Sequence, residues 1–195
     1  MKFALLLTAA ALALSACSLT PTAPARTVYD LGPAPAASDS GGALAWRIAE
    51  VTAPPWLGGD GIAYRLAFQQ AQRLEHYRDS FWAAPPAALL TQRLREHLAS
   101  VPSSPACAGR PAALLAVNLD EFEQVFTGPT NSHVVLRVHA TLWPVGAASP
   151  AQQQHWRIER PAATPDAPGA VRALAQAVDD WLPQLASWLV TSACR

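Results

Sequence analysis

Between Ala113 and Val145 the chain alternates apolar and polar residues along two long runs, separated by Thr127-Gly128-Pro129-Thr130-Asn131. Alternation at a period of two puts successive side chains on opposite faces of a sheet. A break of that length suits a hairpin. Two long paired strands limit the possible folds sharply, because their apolar face must be covered by another layer. The first run changes phase partway along. Leu115, Val117 and Leu119 share one face, whereas Phe122 and Phe126 fall on the other set. A β-bulge near Asp120-Glu121 accounts for this, since one extra residue sends every later side chain to the opposite face. The bulge predicts Phe122 and Phe126 inward, and Glu121 and Glu123 outward.

The same stretch, "LDEFEQVF", concentrates three carboxylates: Asp120, Glu121 and Glu123. Catalytic carboxylates need an environment that drives their pKa values apart. The partners at hand are Arg137 and His139 across the hairpin, and cross-strand charge pairs of this kind are ordinary surface features. The stretch therefore reads as a solvated or interface face rather than an acid–base centre. His133 and His139 cannot share a metal, because six residues of strand separate them by roughly 20 Å. His76, His97 and His155 fall on three other elements, so no metal site is expected.

The remaining elements fill in around the hairpin. Val28 to Leu31 reads as a short extended run, and Gly32 to Gly42 as loop. Leu44 to Val51, Ile62 to Phe68, Gln72 to Tyr77 and Gln152 to Arg160 read as strands, the last at an edge. A helix is predicted from Pro85-Pro86 to Val101, with Leu90, Leu94, Leu98 and Val101 in one stripe. A second runs from Asp166 to Val190 on the stripe Val171, Leu174, Val178, Leu182, Leu185 and Leu189. Pro183 should kink or break it. The expected fold is α+β: a mostly antiparallel sheet with two amphipathic helices packed on one face.

The N-terminus sets the domain boundaries. Met1-Lys2 is followed by an apolar run of about 12 residues, where a membrane-spanning helix needs about 20. Leu14-Ser15-Ala16-Cys17 then has the order of a lipobox. Residues 1–16 are expected to be a lipoprotein signal peptide, cleaved before a lipidated Cys17. Several acyl chains on one residue hold a protein stably to a bilayer. Ser18 in place of aspartate favours the outer membrane by the lipoprotein sorting rule. Residues 17–27 form a Pro-rich tether, and residues 28–195 one domain. The sole lysine, Lys2, leaves with the signal, so 13 arginines face 14 acidic residues. A balance so near neutral gives no electrostatic case for nucleic acid. Lysine-dependent Schiff-base and P-loop chemistry are excluded. No Gly-x-Ser-x-Gly elbow occurs, and no cofactor is expected. Cys107 and Cys194 are either a disulfide in an oxidising compartment or two unrelated thiols. Of the seven tryptophans, Trp56 ("PPWLGG") and Trp82 ("SFWAAPP") sit in Pro-flanked settings. They are interface candidates or caps on the open end of the sheet.

The ordered series "YDLGP", "VTAPPWLGGDGIAYRL", "RLEHYRDSFWAAPPAALLTQRLREHL", "NLDEFEQVFTGPTNSHVVLRVHATL" and the closing "LASWL" resembles the ABC-type transport auxiliary lipoproteins. The resemblance spans roughly Tyr29 to Leu189. Its most specific pieces are Tyr64-Arg65, Tyr77 to Pro86 and "FEQVF". It implies a non-enzymatic partner of an ABC permease and ATPase and of a periplasmic protein of the MCE (mammalian cell entry) type, anchored in the outer membrane and serving lipid traffic between the membranes. It also implies self-association, as in a ring. Interface candidates under this reading are Trp56, Tyr64, Arg65, Trp82, Glu121 and Glu123. The alternatives are a periplasmic carrier that binds a lipid itself, or an envelope hydrolase. The Pro-rich loop holding Cys107, and Cys194 at the C-terminus, depart from the family pattern.

Overall fold

The structure, a computed structural model, describes residues 25–35, 46–101, 111–146, 148, 150 and 152–192. In chain order these form β1 (Thr27–Tyr29), β2 (Trp46–Ile48), β3 (Gly61–Leu66), α1 (Ala67–Gln70), β4 (Leu74–Trp82) and α2 (Pro86–Ala99). They continue with β5 (Ala113–Phe126), β6 (Ser132–Trp143), β7 (Gln152–Pro161) and α3 (Ala167–Ser192). One seven-stranded sheet runs β1-β4-β3-β5-β6-β7, with β2 also paired to β5. The α+β class holds, and most paired residues are antiparallel, in β3 with β4, β5 with β6, and β6 with β7. As expected, β7 is an edge strand.

The bulge expected in β5 is present. Leu119 lies opposite Val138 and Glu121 opposite Arg137, so Asp120 has no residue facing it. Leu115, Val117 and Leu119 before the bulge, and Phe122 after it, join the same core. That core also takes in Leu136, Val138, Ala140 and Leu142 from β6.

Parallel pairing was not legible from the sequence. Both β2 and β3 run parallel to β5 along its other edge, β2 against Ala113–Leu115 and β3 against Glu123–Phe126. Backbone bonds continue as far as Thr52, which donates to Val117 and accepts from Leu119. The chain then leaves the ladder at Pro54-Pro55, since proline has no N–H to donate. It turns through a short 3-10 helix, Pro55–Leu57, and re-enters at β3. Residues 46–66 thus follow one side of β5, first as β2 and then as β3, with a detour around the bulge.

Both long helices seal one face. The stripe Leu90, Leu94 and Leu98 of α2 is fully buried, as are Leu174, Val178, Trp181, Leu185 and Leu189 of α3. Asp166 caps α3 by accepting the Gly169 N–H at 2.8 Å. The Thr164 hydroxyl and that N–H hold its carboxyl below the usual range. Gly169 is required there, because a Cβ would stand 2.1 Å from the Thr164 carbonyl oxygen. Of the kink or break expected at Pro183, the break does not occur: α3 runs on through it. Pro183 is on the exposed side of the helix, where water can satisfy the carbonyl it leaves unpaired. Arg93 of α2 is 3 % exposed. It donates to the Leu31 and Gly32 carbonyls at 2.6 and 2.7 Å, tying the segment after β1 to the helical layer.

Deleting Asp120 should place Leu119 next to Glu121 in an unbroken ladder, with Phe122 still inward and Glu121 and Glu123 still outward. The deletion variant is expected to keep a cooperative thermal transition by circular dichroism, and Asp120→Asn to stay within about 1 kcal/mol of wild type.

Candidate functional site

The sheet face turned away from the helices carries the charged residues that the bulge directs outward. Register sets their neighbours: Glu121 faces Arg137 across β5–β6, and Arg137 faces Arg157 across β6–β7. Glu121 forms an ion pair with Arg137 at 3.0 Å and accepts from Arg157 at 2.7 Å. Arg157 also donates to Glu159 at 2.8 Å, and His133 lies 3.9 Å from Glu159. Asp120, projecting at the bulge, meets His139 Nδ1 at 2.9 Å. The His139 ring stacks on His155 at 5.3 Å.

Glu123 belongs to the same face but is only 7 % exposed. Arg65 covers it with a two-pronged contact, Nε at 2.9 Å and Nη2 at 3.0 Å. Arg65 also donates to the Ala71 carbonyl. The bond to Glu123 raises the Arg65 pKa further. Bidentate arginine–carboxylate geometry of this kind is the strong form of the ion pair. Each of the three carboxylates already has a cationic or imidazole partner, so the stretch is arranged for charge pairing. Among the described residues no group of His, Cys, Asp and Glu is placed to hold a metal.

Tyr64 and Arg65 separate to opposite faces of β3. Tyr64 packs on Tyr77 at 4.8 Å and on Phe126 at 6.1 Å. Its hydroxyl donates to Glu75 at 2.8 Å, and that bond raises its pKa. Beneath it, Gln124 is fully buried. The Tyr77 hydroxyl donates to Gln124 Oε1 at 2.6 Å, and Gln124 Nε2 donates to Ser132 at 2.7 Å. Burial pushes the Tyr77 hydroxyl well above its ordinary pKa. Sequence reasoning missed Gln124. A polar residue at an inward position of the shifted phase was the available signal.

Trp56 is 61 % exposed on the 3-10 turn. Trp82 corrects the expectation that it is an interface candidate. It is 2 % exposed and packs against Phe122 at 5.4 Å between ring centroids. "SFWAAPP" is not a loop but the end of β4. Its pairing is prolonged by β1 and by the Asp60 carbonyl, which accepts the Trp82 N–H at 2.7 Å. Cys17, Cys107 and Cys194 lie outside the described residues. No helix among the described residues is long and apolar enough to cross a membrane.

The chain matches the family of ABC-type transport auxiliary lipoprotein components over residues 29–186, and it belongs to that family. It is similar to the crystal structure of a Xanthomonas campestris protein of the family DUF330, with a TM-score of 0.65, 18 % identity, and 85 % of this chain and 96 % of that one covered. It is also similar to the crystal structure of a second, uncharacterized protein, with a TM-score of 0.62, 18 % identity, and 85 % and 99 % covered. At that identity these two show a shared fold. Among curated proteins none matches the chain.

The two kinds of ion pair should respond differently to salt. A double-mutant cycle on Arg65 and Glu123 is expected to give a coupling of about 1–3 kcal/mol that changes little with salt. One on Arg137 and Glu121 should give less than about 1 kcal/mol and fade as salt rises. Urea denaturation of the four variants in each cycle, at low and high salt, measures both.

Proposed function

We infer that this protein is an outer-membrane-anchored periplasmic lipoprotein, serving as the docking subunit of an MCE-type ABC system that moves lipids between the inner and outer membranes. The observation that carries this reading is the family match, which spans nearly all of the folded domain. The N-terminus supports it: an apolar run ending in Leu14-Ser15-Ala16-Cys17, then a Pro-rich tether. Cys17 is the lipidated residue on this reading, and Ser18 directs the protein outward. Arg65, Glu121 and the sheet face around them are the surface offered to partners, including further copies of the chain. The family is one of transport accessories, so no catalytic role is assigned to Asp120, Glu121, Glu123 or His139.

A carrier that itself holds an acyl chain between helices and sheet has less support. Leu174, Val178, Trp181 and Leu185 fill that interface and have no exposed surface. A lipid entering there would have to displace close-packed side chains.

Lipidated protein, affinity-purified from native membranes in mild detergent, should bring down an MCE-type protein together with an ABC permease. It should sediment with the outer membrane, and Cys17→Ser should release it into the soluble fraction. Repeated purification of the lipidated protein without either partner would contradict the reading.

A further inference from the structure

The detour around the β5 bulge creates a feature that docking and anchoring do not require. A surface cleft of about 490 Å3 opens between the 3-10 turn and the bulge, lined by Thr52, Trp56, Asn118, Asp120 and Arg137 among others. That volume lies within the usual range of small-molecule sites, roughly 300–1,000 Å3. One wall is the indole of Trp56, mostly exposed. The turn that presents it is rigid. Pro54 and Pro55 restrict its backbone, the Leu57 and Gly58 N–H groups close it onto the Pro54 and Pro55 carbonyls at 2.9 and 3.1 Å, and Leu57 is buried beneath it. The turn so built presents the indole to water, and a ligand with an apolar face would bury it.

The opposite wall is polar, and its charges are already paired. Asp120 meets His139 and Arg137 meets Glu121, so the cleft does not select a cation or an anion. Hydrogen-bonding capacity remains. Asn118 Oδ1 accepts from the Thr52 hydroxyl at 2.9 Å, which turns the two N–H donors of its amide elsewhere. Asp120 binds His139 through one oxygen, and Arg137 binds Glu121 through one nitrogen. The second carboxylate oxygen and the other guanidinium N–H groups stay available. An acyl chain would strand these donors and acceptors without partners, at about 1–3 kcal/mol each.

We propose that the Trp56–Asn118–Asp120–Arg137 cleft binds a neutral pyranose-containing glycan, one sugar ring stacked on the indole with its hydroxyl groups spanning the donors and acceptors opposite. A pyranose has the required shape: a C–H face that packs on an aromatic ring, and an equatorial rim of paired donors and acceptors. This inference stands on the cleft alone and does not depend on the transport partner.

The test uses the full lipidated chain in a detergent without a sugar headgroup. Chitotriose and cellotriose are titrated by calorimetry and by saturation-transfer NMR. Two sugars distinguish an acetamido-sugar source from a plain glucan. Saturable binding of at least one is expected. Trp56→Ala should weaken it by about tenfold or more, equivalent to about 1.4 kcal/mol. Trp56→Phe should retain most of it, and Asn118→Ala should weaken it by a smaller factor. Thermal melts unchanged from wild type confirm that the variants fold. The proposal is overturned if neither trisaccharide binds wild type saturably, or if Trp56→Ala binds as wild type does. It is also overturned if Trp56→Ala changes only the oligomeric state, which would make the indole a protein contact.

Discussion

One unpaired residue in the central strand governs the rest of the molecule. Without the bulge at Asp120, Phe122 would point away from the helices, because side chains alternate strictly along β5. With it, both halves of a 14-residue strand bury their apolar residues on one face. The bulge interrupts what the neighbouring segment, residues 46–66, can pair with, and the prolines that follow Thr52 release it from the ladder at the matching level. The same residue thus lets α3 pack on a continuous apolar floor, fills the outer face with charge, and places an exposed tryptophan beside it.

The two faces are stabilised by different physics. On the helix side, close packing of Leu, Val and Trp dominates, and the buried polar groups Gln124 and Tyr77 satisfy one another. On the outer side, a chain of ion pairs runs from Arg137 through Glu121 and Arg157 to Glu159. Such exposed pairs contribute little individually, but they keep a broad sheet face soluble and unattractive to indiscriminate association. Arg65 and Glu123 differ, being partly buried and bidentate. For a protein proposed to dock between membranes, a face that is already self-paired favours recognition by shape over recognition by net charge.

Much of this was legible in the sequence because it depended on local periodicity. Period-two alternation located β5, β6 and β7, period-3.6 stripes located α2 and α3, and the phase slip located the bulge to within a residue. The misreadings were tertiary. Nothing local shows that β2 and β3 share one edge of β5 in parallel, since that depends on a chain excursion being tolerated opposite the bulge. Trp82 looked like a loop residue because Pro85-Pro86 follows closely, but β1 and the Asp60 carbonyl extend β4 through it. Pro183 looked disruptive because its cost depends on which side of the helix it occupies. Phe126 and Gln124 fall on the helix-side set as the bulge requires, yet the aromatic cluster with Tyr64 and Tyr77 needs three strands brought together, which no single segment reveals.

The most direct measurement is the register of β5 against β6 in solution, read from cross-strand nuclear Overhauser contacts in isotopically labelled protein. A bulged strand gives facing contacts for Leu119 with Val138 and for Glu121 with Arg137, and no facing partner for Asp120. Contacts placing Asp120 opposite Arg137 and Glu121 opposite Leu136 would show an uninterrupted ladder. That result would contradict both the inward placement of Phe122 and the charged outer face.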